Sequence, residues 1–92
     1  MALMPTLSLF NGIVIRMFKE DGASHNKAHI HAAHGEFEAS YDIDTCDKLA
    51  GELSADDERL VKAWIVLHRE DLKANWDLLI KEGKFFKIDP LK

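Results

Sequence analysis

The feature that most constrains what this chain can fold into is an alternation between His29 and Ile43. Ile30 and Ala32 alternate with His29 and His31, and Phe37, Ala39, Tyr41 and Ile43 alternate with Glu36, Glu38, Ser40 and Asp42. Successive side chains of an extended strand point to opposite faces, so this pattern predicts two strands, each with one buried face. His34-Gly35 stands between them. A two-residue hairpin loop needs positive φ, which Gly accepts freely and His more readily than most residues. Such a turn pairs Ala33 with Glu36, Ala32 with Phe37, His31 with Glu38, Ile30 with Ala39 and His29 with Ser40. The apolar residues of both strands then share a face, so turn chemistry and patterning agree.

The flanking segments extend the sheet. Leu7–Phe18 contains the β-branched run Ile13-Val14-Ile15 and reads as a first strand. Asn11-Gly12 interrupts it, as either a type I′ hairpin turn or a bulge. Asp21-Gly22 marks a polar loop before the His-rich strand. After the hairpin, the turn Asp44–Asp47 leads into CDKLAGEL, a further strand with Leu49 and Leu53 turned inward.

From Ser54 the period changes. Ser54 followed three residues later by Asp57 resembles a capping box, and Asp56, Asp57 and Glu58 suit the positive end of a helix dipole. Leu60, Val61, Trp64, Leu67 and His68, then Leu72, Trp76, Leu79 and Ile80, form a stripe at helical spacing. Gly83 fits a C-cap. The run is one long helix, or two with a bend near Arg69–Asp71. Trp64 and Trp76 are expected to pack against the sheet, with His68 partly buried beside them. The tail KFFKIDPL is apolar, and Phe85, Phe86 and Ile88 are expected to dock, either in cis, across a homodimer, or on another protein partner. Pro90 cannot donate to a sheet ladder and sets the limit of any strand there.

These elements give an α+β fold: a small antiparallel meander of three to four strands packed against one long or two consecutive C-terminal helices. A chain of 92 residues suits a single domain, 1–92, with a strand-rich half 5–53, a helical half 54–83 and an apolar tail 84–92. With 12 basic and 16 acidic residues the formal charge is −4, and no basic stripe is present. Nucleic acid is therefore not expected as a direct partner, since such binding replaces counterions with clustered cations. The N-terminal run lacks the charged start and cleavage-like site of a signal peptide, no apolar run approaches a membrane span, and the single cysteine, Cys46, cannot form an internal disulfide. A cytoplasmic protein, without a membrane partner, is the expectation.

Four of the five histidines lie between positions 25 and 34. His29 and His31 project the same way, about 6.5 Å apart along the strand. A His-x-His pair can chelate a divalent metal such as Zn²⁺, Mn²⁺ or Fe²⁺. His25 from the loop and Glu38 across the hairpin complete the candidate metal set. The alternative is a solvated hairpin face carrying a His–Glu cross-strand pair. The same His and Glu could support acid–base chemistry, although no phosphate-binding element accompanies them. No cofactor is required by these residues, and a divalent metal is the one they could hold.

MPTLSLFNGIVIRMF, HNKAHIHAAHGEFEASYDI, KLAGELS, VKAWIVLHREDLKANWDL and FFKIDPL, in this order, resemble the small, mostly bacterial proteins of domain-of-unknown-function family 4160. Members usually carry two prolines before the His-x-His pair. Lys27 and Ala28 stand there in this chain, while His29 and His31 are kept. Members usually have an aromatic residue where this chain has His34. The resemblance brings no established enzymatic activity. It implies a regulatory role of toxin–antitoxin-like kind, because members are often encoded beside another small protein. Three functions are carried forward: a protein-interaction or regulatory module first, a metal-binding protein second, and a small hydrolase or nuclease third.

Overall fold

A computed structural model describes residues 6–18 and 27–91 of the chain. The loop turn at Asp21-Gly22 and the candidate ligand His25 lie outside the described residues. Five strands and one helix follow in order: β1 Thr6–Phe10, β2 Ile13–Arg16, β3 His29–His34, β4 Phe37–Asp42, β5 Lys48–Glu52 and α1 Ala55–Glu82. The strands form one antiparallel sheet in the order β1-β2-β3-β4-β5. The class is the α+β one that the sequence implies, with five strands in place of three or four.

The extra strand comes from Asn11-Gly12. Both residues have positive φ, 51° and 77°, and Phe10 pairs with Ile13 on either side of them. Those are the backbone demands of a type I′ turn, so of the two alternatives for this interruption, hairpin turn or bulge, it is the hairpin that forms.

The second hairpin differs from expectation in its register. Its positive φ falls on Gly35, at 61°, and the two-residue loop is Gly35-Glu36. The pairs are therefore His34 with Phe37, Ala33 with Glu38, Ala32 with Ala39, His31 with Ser40, Ile30 with Tyr41 and His29 with Asp42. Glycine sits at the first central position, where a type II′ turn requires it. Moving the turn by one residue changes each partner by two. The buried face keeps Ile30, Ala32, Ala39, Tyr41 and Ile43, whereas Phe37, expected among them, sits next to the turn and is 58% exposed. His31 is opposite Ser40 and diagonal to Glu38.

Strand β5 departs from simple alternation. Ser40 pairs with Ala50 and Tyr41 with Lys48, which leaves Leu49 as the extra residue of a bulge. Leu49 is exposed rather than inward, and Leu53 alone of the expected pair is buried. The bulge and the Lys48–Glu52 ion pair also make this outer strand a poor template for further pairing.

Helix α1 begins and ends as its sequence requires. The Ser54 hydroxyl accepts from the Asp57 N–H at 3.1 Å, and Gly83 closes the helix in the left-handed conformation, its N–H donating to Leu79. The helix is one element of 28 residues with a kink at His68, whose φ of −117° and ψ of 21° are not helical. The kink lies just before the expected bend at Arg69–Asp71. Val61, Trp64, Ile65 and Leu72 join Ile13, Ile15, Ile30, Ala32 and Tyr41 in one hydrophobic cluster between sheet and helix. Trp64 and Trp76 are both buried, as their spacing suggested. Leu67 is not part of that face. It and Val66 are exposed beside the kink, and Ile65 takes the buried position.

Beyond Gly83 the chain turns back over its own domain. Ile88 is buried in the core cluster, and its N–H donates to the Leu7 carbonyl at 2.9 Å. Leu7 is the extra residue at an irregularity between Thr6 and Ser8 in β1, so the tail covers the sheet edge at that point. Phe85 and Phe86 remain 36% and 39% exposed. The apolar tail thus docks in cis through Ile88, while the two phenylalanines stay partly in water.

Candidate functional site

With α1 packed on one side of the sheet, β2, β3 and β4 present a second set of side chains on the other. Arg16, His31 and Ser40 form one row across the strands, and Val14, Ala33 and Glu38 form the next. The rows follow from the register, since residues paired across neighbouring strands share a face. His31 Nδ1 lies 3.6 Å from Glu38 Oε2, with the histidine side chain only 13% exposed. The Phe18 ring stacks on His31 at 4.1 Å between centroids and 14° between planes. A hollow of about 170 Å³ is bordered by His31, Glu38, Ser40 and Gly51. A smaller one of about 20 Å³ lies between Arg16, Phe18, His31 and Glu38.

His29 continues the line of rings. Its imidazole meets His31 edge-on at 5.1 Å and lies 5.2 Å from the Trp76 ring. Phe18, His31, His29 and Trp76 therefore form a connected run of four rings from the open face toward the helix. His29 Nδ1 is 2.7 Å from the Lys27 carbonyl oxygen. A carbonyl only accepts, so Nδ1 is the protonated nitrogen and the neutral ring carries its lone pair on Nε2.

The candidate metal set is only partly brought together. His29 and His31 are neighbours and Glu38 reaches His31, while His25 lies outside the described residues. Among the described residues no group of three or more His, Cys, Asp or Glu side chains is arranged to hold a metal ion. The acid–base reading rests on the same His31–Glu38 pair.

His34 lies elsewhere. It sits on the helix side of the sheet, where its Nδ1 is 2.8 Å from Asp57 Oδ2. Its ring also rests over Gly12, so closely that a Cβ there would be 2.8 Å from Nε2. It joins two hairpin turns to the start of α1. Tyr41 makes a parallel link, its hydroxyl donating to Glu58 Oε2 at 2.9 Å from a fully buried ring. Burial first, and then the hydrogen bond to Glu58 and the charge of that carboxylate, hold the phenol well above its usual range.

Several of these residues carry no sequence signal of their own. Arg16 reads as the polar position of β2, and it has no carboxylate partner among the described residues. Phe18 lies past the end of its strand. Arg69, 23 residues on from Cys46, donates to its Sγ at 3.3 Å and to the Ile43 carbonyl at 2.9 Å. Only the folded chain brings that guanidinium to the turn.

Comparison with known families places this geometry. The family model described as domain of unknown function (DUF4160) matches residues 12–77. The chain belongs to the DUF4160 family. The match spans β2 through most of α1, and so takes in the open face, the ring run and both buried tryptophans. No curated protein and no solved structure matches this DUF4160 chain. Among the described residues, no helix is long and apolar enough to cross a membrane.

Proposed function

We propose that this DUF4160 protein is a small protein-interaction module that engages a protein partner through the sheet face opposite α1. The observation that supports this is Arg16. It is a cation that pairs with no carboxylate among the described residues, and it borders the same small hollow as Val14, Phe18, His31, Ala33 and Glu38 on the sheet face opposite α1. A solvated antiparallel face is ordinarily polar. Here an arginine stands beside an aromatic ring and small apolar side chains, and arginine and aromatic residues are enriched at interface hot spots. The partner that fits is a protein surface presenting a carboxylate amid apolar groups. A toxin–antitoxin-like pairing, implied by the family resemblance, is one form such a contact takes.

The test is affinity capture with the whole chain, followed by reconstitution with the purified partner. The reading expects one partner retained by wild type and by the Leu67→Glu control, lost with Arg16→Glu, and bound again by the purified wild-type chain. A set of captured proteins unchanged by Arg16→Glu overturns it.

The second reading is divalent-metal binding at His29 and His31. It draws support from their 5.1 Å ring spacing and from the Lys27 carbonyl that fixes the His29 tautomer. An oxygen on one ring nitrogen is the usual means of orienting the other toward a metal.

A further inference from the structure

Residues 84–91 have no regular secondary structure, yet four of their main-chain atoms are held by fixed partners. Asn75, completely buried, donates from Nδ2 to the Phe86 carbonyl and accepts the Phe86 N–H on Oδ1, both at 2.8 Å. The Trp64 indole N–H donates to the Asp89 carbonyl at 2.8 Å. The Leu7 carbonyl accepts the Ile88 N–H at 2.9 Å. Asn75 and Trp64 lie about three helical turns apart, so they share a face of α1. The tail runs back along that face, with β1 as its other wall. Of the side chains from Lys84 to Pro90, Ile88 alone is buried. This is how a groove between a helix and a sheet edge reads an extended peptide: fixed polar atoms take the main chain and one pocket takes a side chain.

We propose that this groove also accepts the 84–91 segment of a second copy of the chain, giving a dimer in which the two tails are exchanged. The proposal is independent of the open sheet face. A second copy supplies the same main-chain atoms and the same isoleucine, so exchange preserves every contact inside the groove. What changes is the hinge. Gly83 ends the helix, and Phe86 is the first residue held by Asn75. Three residues span at most about 11 Å, so the two grooves of an exchanged pair must lie side by side. Their hinge segments then cross, and Phe85 and Phe86 of each chain, 36% and 39% exposed in the single chain, cover one another. Cis docking leaves those four rings partly in water, and exchange removes them from it. That difference favours the second copy over an unrelated peptide, which would bring no matching aromatic hinge.

The test uses three full-length proteins. Ile88→Asp spoils the tail and leaves the groove intact; Asn75→Ala spoils the groove and leaves the tail intact. Light scattering of wild type should show a monomer–dimer equilibrium below about 1 mM, the range in which a short tether competes. Phe85→Ala/Phe86→Ala should weaken that association at least tenfold. Each groove or tail variant alone should be monomeric, and a mixture of the two should give a 1:1 heterodimer by native mass spectrometry. A peptide of residues 84–92 should dissociate it. A wild-type chain that stays monomeric up to 1 mM overturns the proposal, whether or not the variants fold. An Ile88→Asp homodimer also overturns it, because that association must use another surface.

Discussion

His34 and Asp57, 23 residues apart in sequence, are joined at 2.8 Å by Nδ1 and Oδ2. The same carboxylate residue receives the helix cap, its N–H donating to Ser54. One imidazole thus ties the end of the β3–β4 hairpin to the first turn of α1, with its ring lying over the Asn11-Gly12 turn.

This link gives the first prediction. His34→Ala should lower stability by about 1 kcal/mol, the net worth of a typical hydrogen bond that is partly solvated. His34→Phe should recover part of the loss by restoring the ring over Gly12. Chemical denaturation of the three proteins measures both effects. Equal losses for Ala and Phe would show that packing over Gly12 contributes nothing.

Trp64 serves the core and the tail at once. It is fully buried, its ring lies 5.7 Å from Phe10, and its indole N–H holds the Asp89 carbonyl. Trp64→Ala should therefore cost about 3–5 kcal/mol, as for other large core aromatics. Trp64→Phe keeps most of the ring and loses the hydrogen bond, and should cost about 1–3 kcal/mol, the penalty of an unsatisfied carbonyl plus a small cavity. Amide exchange should show the tail loosened in Trp64→Phe before the sheet is. A tail as protected as in wild type would mean that the indole bond does not hold it.

The sequence-level reading succeeds where chemistry is local and falters where it depends on a distant partner. Ser54 and Gly83 announce the ends of α1 because capping is set by one or two residues. The buried face of the β3–β4 hairpin is legible for a different reason. A turn on His34-Gly35 or on Gly35-Glu36 puts the same residues on the helix-facing side, since partners shift by two and the strand period is two, and only Phe37, next to the turn, is left in water. The identity of each partner is not legible from that pattern, and so Glu38 is diagonal to His31 rather than opposite. Leu49 breaks alternation because a bulge leaves no periodic trace. Leu67 breaks the helical stripe beside a kink at His68. Asn75 reads as an ordinary polar helix position, because its role is to bind a main chain that returns only in the folded state.

The metal reading makes a direct prediction. Binding to the native state alone raises stability by RT ln(1 + [L]/Kd), about 2.7 kcal/mol at a hundredfold excess over Kd. Zn²⁺ or Mn²⁺ should raise the melting temperature of tag-free wild type, and His29→Ala/His31→Ala should abolish the shift. His25→Ala and Glu38→Ala, tested separately, report which of them completes the site. Shifts of equal size in wild type and the double variant would remove this pair as the ligand.

Tyr41 provides the last prediction, on alkaline stability. Its phenol is buried, donates to Glu58 at 2.9 Å, and is pushed well above its usual range by burial, that hydrogen bond and the nearby negative charge. A raised acid pKa means that the native state keeps a proton the unfolded chain gives up. Stability from this group is therefore complete below the unfolded value near 10, and it falls progressively as pH rises from there toward the folded value. Because Tyr41 is the only tyrosine, tyrosinate absorbance near 295 nm reports this residue alone. The native protein should show no tyrosinate at pH 10.5, whereas the denatured chain should be mostly ionised there. Tyrosinate should grow in together with loss of the circular-dichroism signal as the chain unfolds. Tyr41→Phe should flatten the decline in stability above pH 10 while lowering stability at pH 7 by about 1–2 kcal/mol, since Glu58 loses its donor but can turn to solvent. Ionisation at pH 10 in a fully folded protein would mean that the phenol is open to water and that the Tyr41–Glu58 bond does not hold the start of α1 to β4.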